Sequence, residues 1–285
     1  HRQPPVHRRL LYPAERLGLG HPELYLKQAL GAVDQLAGLE AGVETVVVET
    51  ARLPLLRVLG PELAEHFAAL HRGHGVQFRF GEVVDEITTE GGYATGVRLG
   101  DGSVLPADAV LVAIGVDPNT QLAQDADLAV ADGVLVDASL RTADPDIFAL
   151  GDVARAFHPR YGKPIRVEHW ANALNQPQVA AAAMLGEDAQ YDRLPYFFTD
   201  QYELGMEYLG YVEPGGYDRV VVRGDQASGQ FVAFWLDGGR VLAGMNVNVW
   251  DVGDQIRALI ESGQAVDTDR LADPGTPLES LVPGS

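Results

Sequence analysis

Residues 140–152 read LRTADPDIFALGD, in which a short apolar run ends in Gly151-Asp152 and the chain then enters a new segment. A glycine at this place lets a ligand approach the backbone closely, because it has no side chain. An ionised Asp152 can only accept hydrogen bonds, so it suits a hydroxyl group such as those of a flavin's ribitol chain. The alternative is a plain strand and turn with a capping aspartate, but the complete string is much rarer than Gly-Asp alone.

The sequence upstream of this string has an α/β pattern. Val43–Glu49 is rich in β-branched residues and predicts a buried strand. Gly60-Pro61 predicts the start of a helix, which Gly73 and Gly75 end. Further apolar or alternating runs predict strands at Val76–Phe80, Val83–Ile87, Ala94–Leu99, Ala109–Ile114, Gly133–Val136 and Ile147–Leu150.

The pattern changes in the last third of the chain. A helix is predicted over about residues 169–185, followed by a linker at Asp192–Pro195. Three apolar runs then predict an antiparallel meander, and Asp273–Ser285 is predicted to be a loose tail. The runs are Val220–Val222, Gln230–Leu236 and Val241–Val249, with an amphipathic helix at Val252–Leu259 behind them; one more helix is predicted at 24–38.

The composition excludes several classes of function. Without cysteine there is no disulfide, thiolate metal site, cysteine-ligated iron–sulfur cluster or redox-active cysteine pair, so electron chemistry needs an organic cofactor or a partner. The net charge of −19 repels nucleic acid and anionic membranes. No apolar run reaches the roughly 18 residues that span a bilayer, and no secretory signal is visible. We therefore expect a soluble, cytoplasmic protein.

Three other positions are candidates for ligand binding. Glu49 ends a predicted strand, where an acid in a dinucleotide-binding βαβ unit bonds the adenosine ribose; a surface glutamate is the alternative. Gly115 ends another strand and is either a point of close backbone approach or a plain strand end. Residues 168–173, EHWANA, start a helix whose free N–H groups would stabilise negative charge on a flavin, with Trp170 against a ring. A capped helix with a core tryptophan is the alternative there.

With these motifs, residues 43–285 resemble the FAD-dependent ferredoxin reductases. The matching strings are RVLGPE at 57–62 and residues 113–119, 144–152, 167–173, 195–201 and 245–256. The resemblance implies an α/β fold, with partial FAD/NAD(P)-binding Rossmann-like domains plus an α+β C-terminal reductase domain. It divides the chain into an atypical segment at 1–40, a remnant NAD-binding domain at 41–113, the C-terminal half of an FAD-binding domain at 114–190 and the reductase C-terminal domain at 191–285.

The same resemblance implies the reaction and its residues. Electrons would pass from NADH through FAD to a ferredoxin-like carrier, and the acid at Glu49 implies a preference for NADH over NADPH. Glu168 and Trp170 are the catalytic candidates, with His169 beside them at the flavin ring and nicotinamide pocket. The other implied roles are Asp152, Gly151 and Val153 at the ribitol, Glu49 at the adenosine ribose, and Phe197 and Phe198 closing over the flavin.

The chain also departs from the family pattern. The two Gly-x-Gly-x-x-Gly phosphate cradles are absent, since Gly18-Leu19-Gly20 is followed by His21-Pro22. We expect the N-terminal half of the FAD domain to be missing and residues 1–40 to replace the first strand and helix of the NAD domain, which leaves weak or no FAD binding. One alternative is a non-catalytic module for interaction or dimerisation, and the chain could then form a homodimer. The other is a nitrite-reductase-like or peroxide-reducing relative, although the lack of cysteine argues against thiol-based peroxidase chemistry.

One stretch carries positive charge without any acid. It runs from Ala154 to Arg166 in a chain that is otherwise acidic, so it is a candidate docking site for an acidic ferredoxin-like carrier. A solvated loop is the alternative. The basic residues are Arg155, His158, Arg160, Lys163 and Arg166.

Overall fold

In a computed structural model, residues 8–12 and 44–282 are described, and they divide into two compact units. The first unit extends to Val116 and includes Thr199–Leu204 and Glu213–Gly215. The second holds Asp117–Phe198, Gly205–Val212 and the chain from Gly216 onward. The helix predicted at 24–38 and the glycines at 18 and 20 lie outside the described residues.

The first unit contains a parallel sheet and an antiparallel one. Its sheets have the strand orders β3-β2-β1-β7, all parallel, and β4-β5-β6, antiparallel. The parallel order β3-β2-β1 is typical of a mononucleotide-binding half of a Rossmann-like fold. The elements are β1 (Arg8–Tyr12), β2 (Glu44–Glu49), α1 (Leu56–Gly73), β3 (Gln77–Phe80), β4 (Val84–Glu90), β5 (Tyr93–Leu99), β6 (Val104–Pro106) and β7 (Ala109–Val112).

Strand β1 corrects one expectation. We expected residues 1–40 to lack the first strand of this sheet, whereas Arg8–Tyr12 lies between β2 and β7 and pairs with both in parallel. Its sequence, RRLLY, has no β-branched residue, which is why propensity did not single it out. The strand predicted at Val43–Glu49 is confirmed as β2, whose buried valines pack with Val97 and Leu99 of β5.

Helix α1 begins one turn before the predicted start and is kinked there. Gly60 has φ +76°, so the regular helix restarts at Pro61, where a missing N–H costs nothing. Leu63 and Phe67 are completely buried on the inner face. His71, near the end of α1, is buried too; its Nδ1 lies 3.0 Å from the Tyr202 hydroxyl and its Nε2 2.9 Å from Oε1 of Gln201, both within the first unit.

The second unit begins with a small mixed sheet, β10-β9-β8, and one long helix. The elements are α2 (Gln121–Asp125), β8 (Val134–Val136), β9 (Ala154–His158), β10 (Lys163–Arg166) and α3 (Trp170–Met184). The helix predicted at 169–185 is confirmed as α3. The strand predicted at Ile147–Leu150 is wrong, because only an isolated bridge joins Phe148 to Arg141. Strands β9 and β10 were not predicted, since their charged residues hide the alternation of buried small residues.

A five-stranded antiparallel sheet follows, in the order β11-β12-β15-β14-β13. The predicted meander and the helix behind it are thereby confirmed, although β11 and β12 were missed. Phe234 and Leu236 of the sheet pack against Ile256 and Leu259 of the helix. The elements are β11 (Tyr196–Gln201), β12 (Leu204–Gly210), β13 (Arg219–Asp225), β14 (Gln230–Asp237), β15 (Arg240–Val247), α4 (Gly253–Ser262) and α5 (Thr268–Ala272).

The chain end is packed, so the predicted loose tail is wrong for the residues the structure describes. Leu278 and Leu281 lie in a short 3₁₀ helix and are buried in the same core. Arg223 of β13 donates to the carbonyls of four residues ahead of that helix, namely Leu271, Asp273, Pro274 and Thr276. Within 8–12 and 44–282, no helix combines the length and apolar character that crossing a membrane would take.

Candidate functional site

A short 3₁₀ turn at Gly151–Val153 is fastened to helix α3 in the second unit. The Gly151 N–H donates to Oε1 of the buried Gln176 at 2.6 Å, and Gln176 belongs to α3. Gly151 has φ +74°, and no atom lies within 4 Å of the position that a Cβ would take there. Asp152 beside it is exposed. The turn therefore offers an open stretch of backbone next to an accessible carboxylate.

The N-terminus of α3 carries exposed aromatic surface. Trp170 is 69% exposed and Phe198 is 52% exposed, and their ring centroids lie 6.4 Å apart in a nearly perpendicular arrangement. His169 precedes the helix, and its side chain does not cap the first N–H groups of the helix. These groups carry the partial positive charge of a helix N-terminus, which favours an anionic group nearby.

Phe197 and Phe198 have different environments, although both were predicted to close over a flavin. Phe197 is buried and stacks on His169, with ring centroids 4.9 Å apart and planes 8° from parallel. Its other neighbour is Tyr208, at 4.8 Å. Only Phe198 is therefore exposed to a ligand, while Phe197 packs against the residue that starts α3.

Glu168 is held in a buried ion network. Its carboxylate pairs with the Arg166 guanidinium, and both side chains are almost fully buried. Arg166 also pairs with Asp132 at 2.9 Å and donates to the Asp152 carbonyl at 3.4 Å. This placement corrects the docking role predicted for Arg166, because a buried and neutralised guanidinium presents no charge to a partner.

The remaining basic residues lie on the β9–β10 hairpin and its solvent-exposed turn, so the stretch is two short strands joined by a loop, and both the docking interpretation and the solvated-loop alternative stay predictions. Arg160 is exposed in the turn, and the Lys163 ammonium lies 5.3 Å from the ring centre of Tyr211. Arg155 donates to the Ala131 carbonyl at 2.9 Å. His158 is buried, and this burial lowers its pKa, so it is neutral near pH 7. Arg160 and Lys163 are thus the cations that the end of the hairpin presents.

Two predicted residues, Glu49 and Gly115, belong to the first unit, whereas the others belong to the second. Glu49 ends β2 and is 2% exposed; its Oε1 accepts the Ala51 N–H at 2.8 Å and the Thr50 hydroxyl at 3.4 Å. Gly115, with φ +91°, follows the end of β7. Glu49 is thus the last residue of its strand and Gly115 comes three residues after its own, and ligands of parallel sheets bind at the carboxyl ends of the strands.

Reasoning from sequence missed three contributors to the site. Gln176 fixes the Gly151 turn, Arg166 holds Glu168, and Gly133 makes room for Arg166. The position of Arg166 two residues before Glu168 was a signal, but it was interpreted only as part of a basic stretch. Among the described residues, no cluster of histidine and carboxylate side chains is arranged to hold a metal ion.

Comparison with known protein families identifies two matching regions. Residues 34–177, just over half of the 285-residue chain, match the pyridine nucleotide-disulphide oxidoreductase family. Residues 196–282 match the reductase C-terminal domain. The family resemblance and the α/β fold class predicted from the sequence are thereby confirmed.

Individual relatives agree with this assignment. The chain is similar to putidaredoxin reductase of Pseudomonas putida, 36% identical over 246 residues, and to the ferredoxin–NAD(+) reductase component of an anthranilate 1,2-dioxygenase system of Burkholderia cepacia, 40% identical over 248 residues. Each match covers 86% of this chain and 58% or 60% of the relative. The crystal structure of a covalent putidaredoxin reductase–putidaredoxin complex superimposes with a TM-score of 0.84 at 32% identity, covering 97% of this chain and 64% of that chain. The chain belongs to the pyridine nucleotide-disulphide oxidoreductase family and carries a reductase C-terminal domain.

Proposed function

We propose that this chain belongs to an FAD-dependent oxidoreductase that passes electrons from NADH through FAD to a ferredoxin-like carrier. One observation carries the proposal: within the second unit, the open Gly151 turn is bonded to Gln176 in the middle of helix α3, while the buried Glu168 and the exposed ring of Trp170 stand at the start of the same helix. The names of the relatives agree with this reaction, but the chain spans only 58–60% of their length.

The residues of the second unit have the chemistry that a flavin requires. FAD, when bound, accepts a hydride from NADH and releases electrons one at a time. Asp152 would accept a hydrogen bond from a ribitol hydroxyl, and the missing side chain at Gly151, flanked by Val153, would let the polyol approach the backbone. Trp170 and Phe198 would cover the ring and exclude water, while His169 starts the helix beneath them.

Charge near the ring would be controlled by α3 and Glu168. The uncapped N–H groups at the start of the helix would stabilise negative charge on the pyrimidine edge of the ring. Glu168 would stand beside that edge and the nicotinamide, where its own negative charge is partly offset by Arg166, which also pairs with Asp132. This offset matters because an unpaired carboxylate would oppose the added electrons.

The residues fit one part of FAD better than the other. The turn and the aromatic pair suit the ring and the ribitol, whereas the sequence has no Gly-x-Gly-x-x-Gly cradle for the pyrophosphate. Backbone N–H groups of such a cradle supply several charge-assisted hydrogen bonds. We therefore expect FAD to bind this chain weakly, with the flavin portion providing most of the affinity.

The first unit supplies the candidate site for NADH. Glu49 lies at the end of β2, where a carboxylate bonds the ribose hydroxyls of NADH and repels a 2′-phosphate. The Ala51 N–H orients this carboxylate. Gly115 follows β7 at the same edge of the sheet and would allow the backbone to pass close to the dinucleotide.

The electron acceptor would dock at the β9–β10 hairpin. Arg160 and Lys163 present positive charge in a chain of net charge −19, so an acidic ferredoxin-like carrier would be attracted here and repelled elsewhere. Arg155 contributes less, because its guanidinium already bonds a backbone carbonyl. Arg166 takes no part in this docking.

A visible absorption spectrum tests the proposal. FAD is titrated into the purified chain and NADH is then added; we expect a shifted flavin spectrum that bleaches with NADH. Trp170→Ala should weaken flavin binding, whereas Trp250→Ala, which removes another exposed tryptophan outside the site, should not. A non-catalytic interaction module predicts an unchanged FAD spectrum at every concentration, and that result would reject the proposal for this chain.

A further inference from the structure

Arg166 connects the parts of the candidate flavin site. It ends strand β10, and its guanidinium reaches three acceptors: the carboxylates of Asp132 and Glu168 and the backbone carbonyl of Asp152. Two of these acceptors belong to the elements that would contact a flavin, the Gly151–Val153 turn and the start of α3. The third, Asp132, lies in the loop before β8 and holds the guanidinium from the other side.

The backbone is shaped to admit this side chain. Gly133 has φ +114°, and a Cβ there would lie 2.8 Å from Cδ of Arg166 and 2.8 Å from the Val153 carbonyl oxygen. Any other residue would therefore collide with both the arginine and the turn. Asp132 before it also has a positive φ, of +51°. Two successive residues next to Arg166 thus have positive φ angles, and for Asp132, which is not a glycine, this conformation is uncommon.

We propose that Arg166 is a positioning residue for the flavin site, which fixes Glu168 and the Gly151–Val153 turn in one arrangement and offsets part of the negative charge of Glu168. The inference rests on the proposed function, because it gives that site its internal support. It also explains why a guanidinium is present: Nε and Nη2 both reach Asp132, at 3.1 and 2.9 Å, while Nη1 faces Glu168 and Asp152. A lysine ammonium cannot span these separate acceptors.

The first experiment measures binding of riboflavin, which contains the ring and the ribitol without the pyrophosphate, by the quenching of its fluorescence. We expect Arg166→Lys to weaken binding roughly 10- to 100-fold, which is the size expected when one or two charge-assisted hydrogen bonds that hold the site groups are lost. Gly133→Ala should do the same without changing any charge. Gly162→Ala is the matched control, since Gly162 also has a positive φ but faces open space at the hairpin turn. Unchanged affinity in both Arg166→Lys and Gly133→Ala would overturn the inference.

The second experiment needs no flavin. In a Trp250→Phe background, Trp170 is the exposed tryptophan and Trp235 the buried one, so acrylamide quenching reports on Trp170. We compare Arg166→Met, Glu168→Gln and the double variant. Because Arg166 acts partly through Glu168, the effect of the double variant should be smaller than the sum of the two single effects, since residues in one ion network are coupled. A purely structural role instead predicts that the two effects add, which would refute the inference.

The two experiments separate failure of the inference from failure of the proposed function. A wild-type chain that binds neither riboflavin nor FAD would reject the flavin site, and the quenching data would still decide the role of Arg166. If Arg166→Met does not fold but the double variant does, the unpaired Glu168 charge is the cause, as the inference expects. If neither folds, Arg166→Lys and Gly133→Ala decide: quenching at the wild-type level in both would overturn the inference.

Discussion

Replacing Arg223 by methionine should release the chain end from the five-stranded sheet. The guanidinium donates to Leu271 at 3.3 Å, Pro274 at 3.2 Å and Thr276 at 2.7 Å, and also to the Asp273 carbonyl. A hydrogen bond in a folded protein contributes about 0.5–1.5 kcal/mol net. Because two of the distances are long and part of the group faces solvent, we expect the free energy of unfolding to fall by about 2–3 kcal/mol.

Urea unfolding followed by tryptophan fluorescence measures this loss. All three tryptophans, Trp170, Trp235 and Trp250, belong to the second unit, so their emission reports on the unit that contains Arg223. The matched control is Arg219→Met, which removes an arginine from the same strand; Arg219 is 58% exposed and its nearest ion pair is 3.7 Å long. That variant should lie within about 0.5 kcal/mol of wild type, as is usual for surface changes.

The result that would refute this reasoning is equal stability of the two variants. It would mean that the four carbonyls find water as readily as they find the guanidinium, and that Leu278 and Leu281 alone hold the chain end. Arg223→Lys adds a further check, because an ammonium can satisfy one or two of the carbonyls and should give an intermediate loss.

Three other predictions follow from the same structure. In flavin-loaded protein, Arg160→Glu should slow electron transfer to an acidic ferredoxin-like carrier at low salt and leave reduction of a small dye unchanged; equal loss of both would argue against hairpin docking. Gly210→Ala should lower the free energy of unfolding by about 1–3 kcal/mol, because Gly210 has φ +105° and a Cβ there would lie 2.6 Å from the Leu242 carbonyl oxygen. Gly215→Ala, where a Cβ would meet open space, should lower it less, and urea unfolding compares the two variants. Burial lowers the pKa of His158, so this side chain binds a proton more readily in the unfolded chain than in the folded one. The free energy of unfolding should therefore fall as the pH drops below about 6.5, and it should fall less steeply in His158→Gln. Equal pH dependence of the two proteins would show that His158 is not the group involved.

Predictions from local signals agreed well with the structure. Val43–Glu49 has the β-branched composition of a buried strand, and Gly60-Pro61 has the chemistry of a helix start, so β2 and the main part of α1 could be located from short windows. The same holds for α3 and the last three strands. In the strands and in α1 the burial pattern is encoded in apolar residues at the spacing of the element, whereas α3, which also buries Asn172 and Gln176, was marked by its alanine-rich stretch and by Gly186.

The failures have a different physical origin. Arg166 and Arg160 are both arginines of one basic stretch, yet one is buried in an ion network and the other is exposed. A linear sequence does not show that Gly133 and Asp132 come next to Arg166 in the fold. Leu278 and Leu281 were likewise hidden among proline and glycine, because the partners that bury them lie far away in the chain. Tertiary contacts decided these cases.

The contact of His71 with Gln201 and Tyr202 has a practical consequence for dissecting the molecule. Residues about 130 positions apart in the chain complete the same unit, so a fragment that stops at the linker near Leu194 would lack both hydrogen-bond partners of the buried His71 imidazole. Such a fragment should be recovered aggregated or protease-sensitive, and adding back a peptide that spans 199–204 should protect it. The first unit thus includes a segment, Thr199–Leu204, that comes more than 80 residues after Val116, and its folding cannot be completed before that segment has been synthesised.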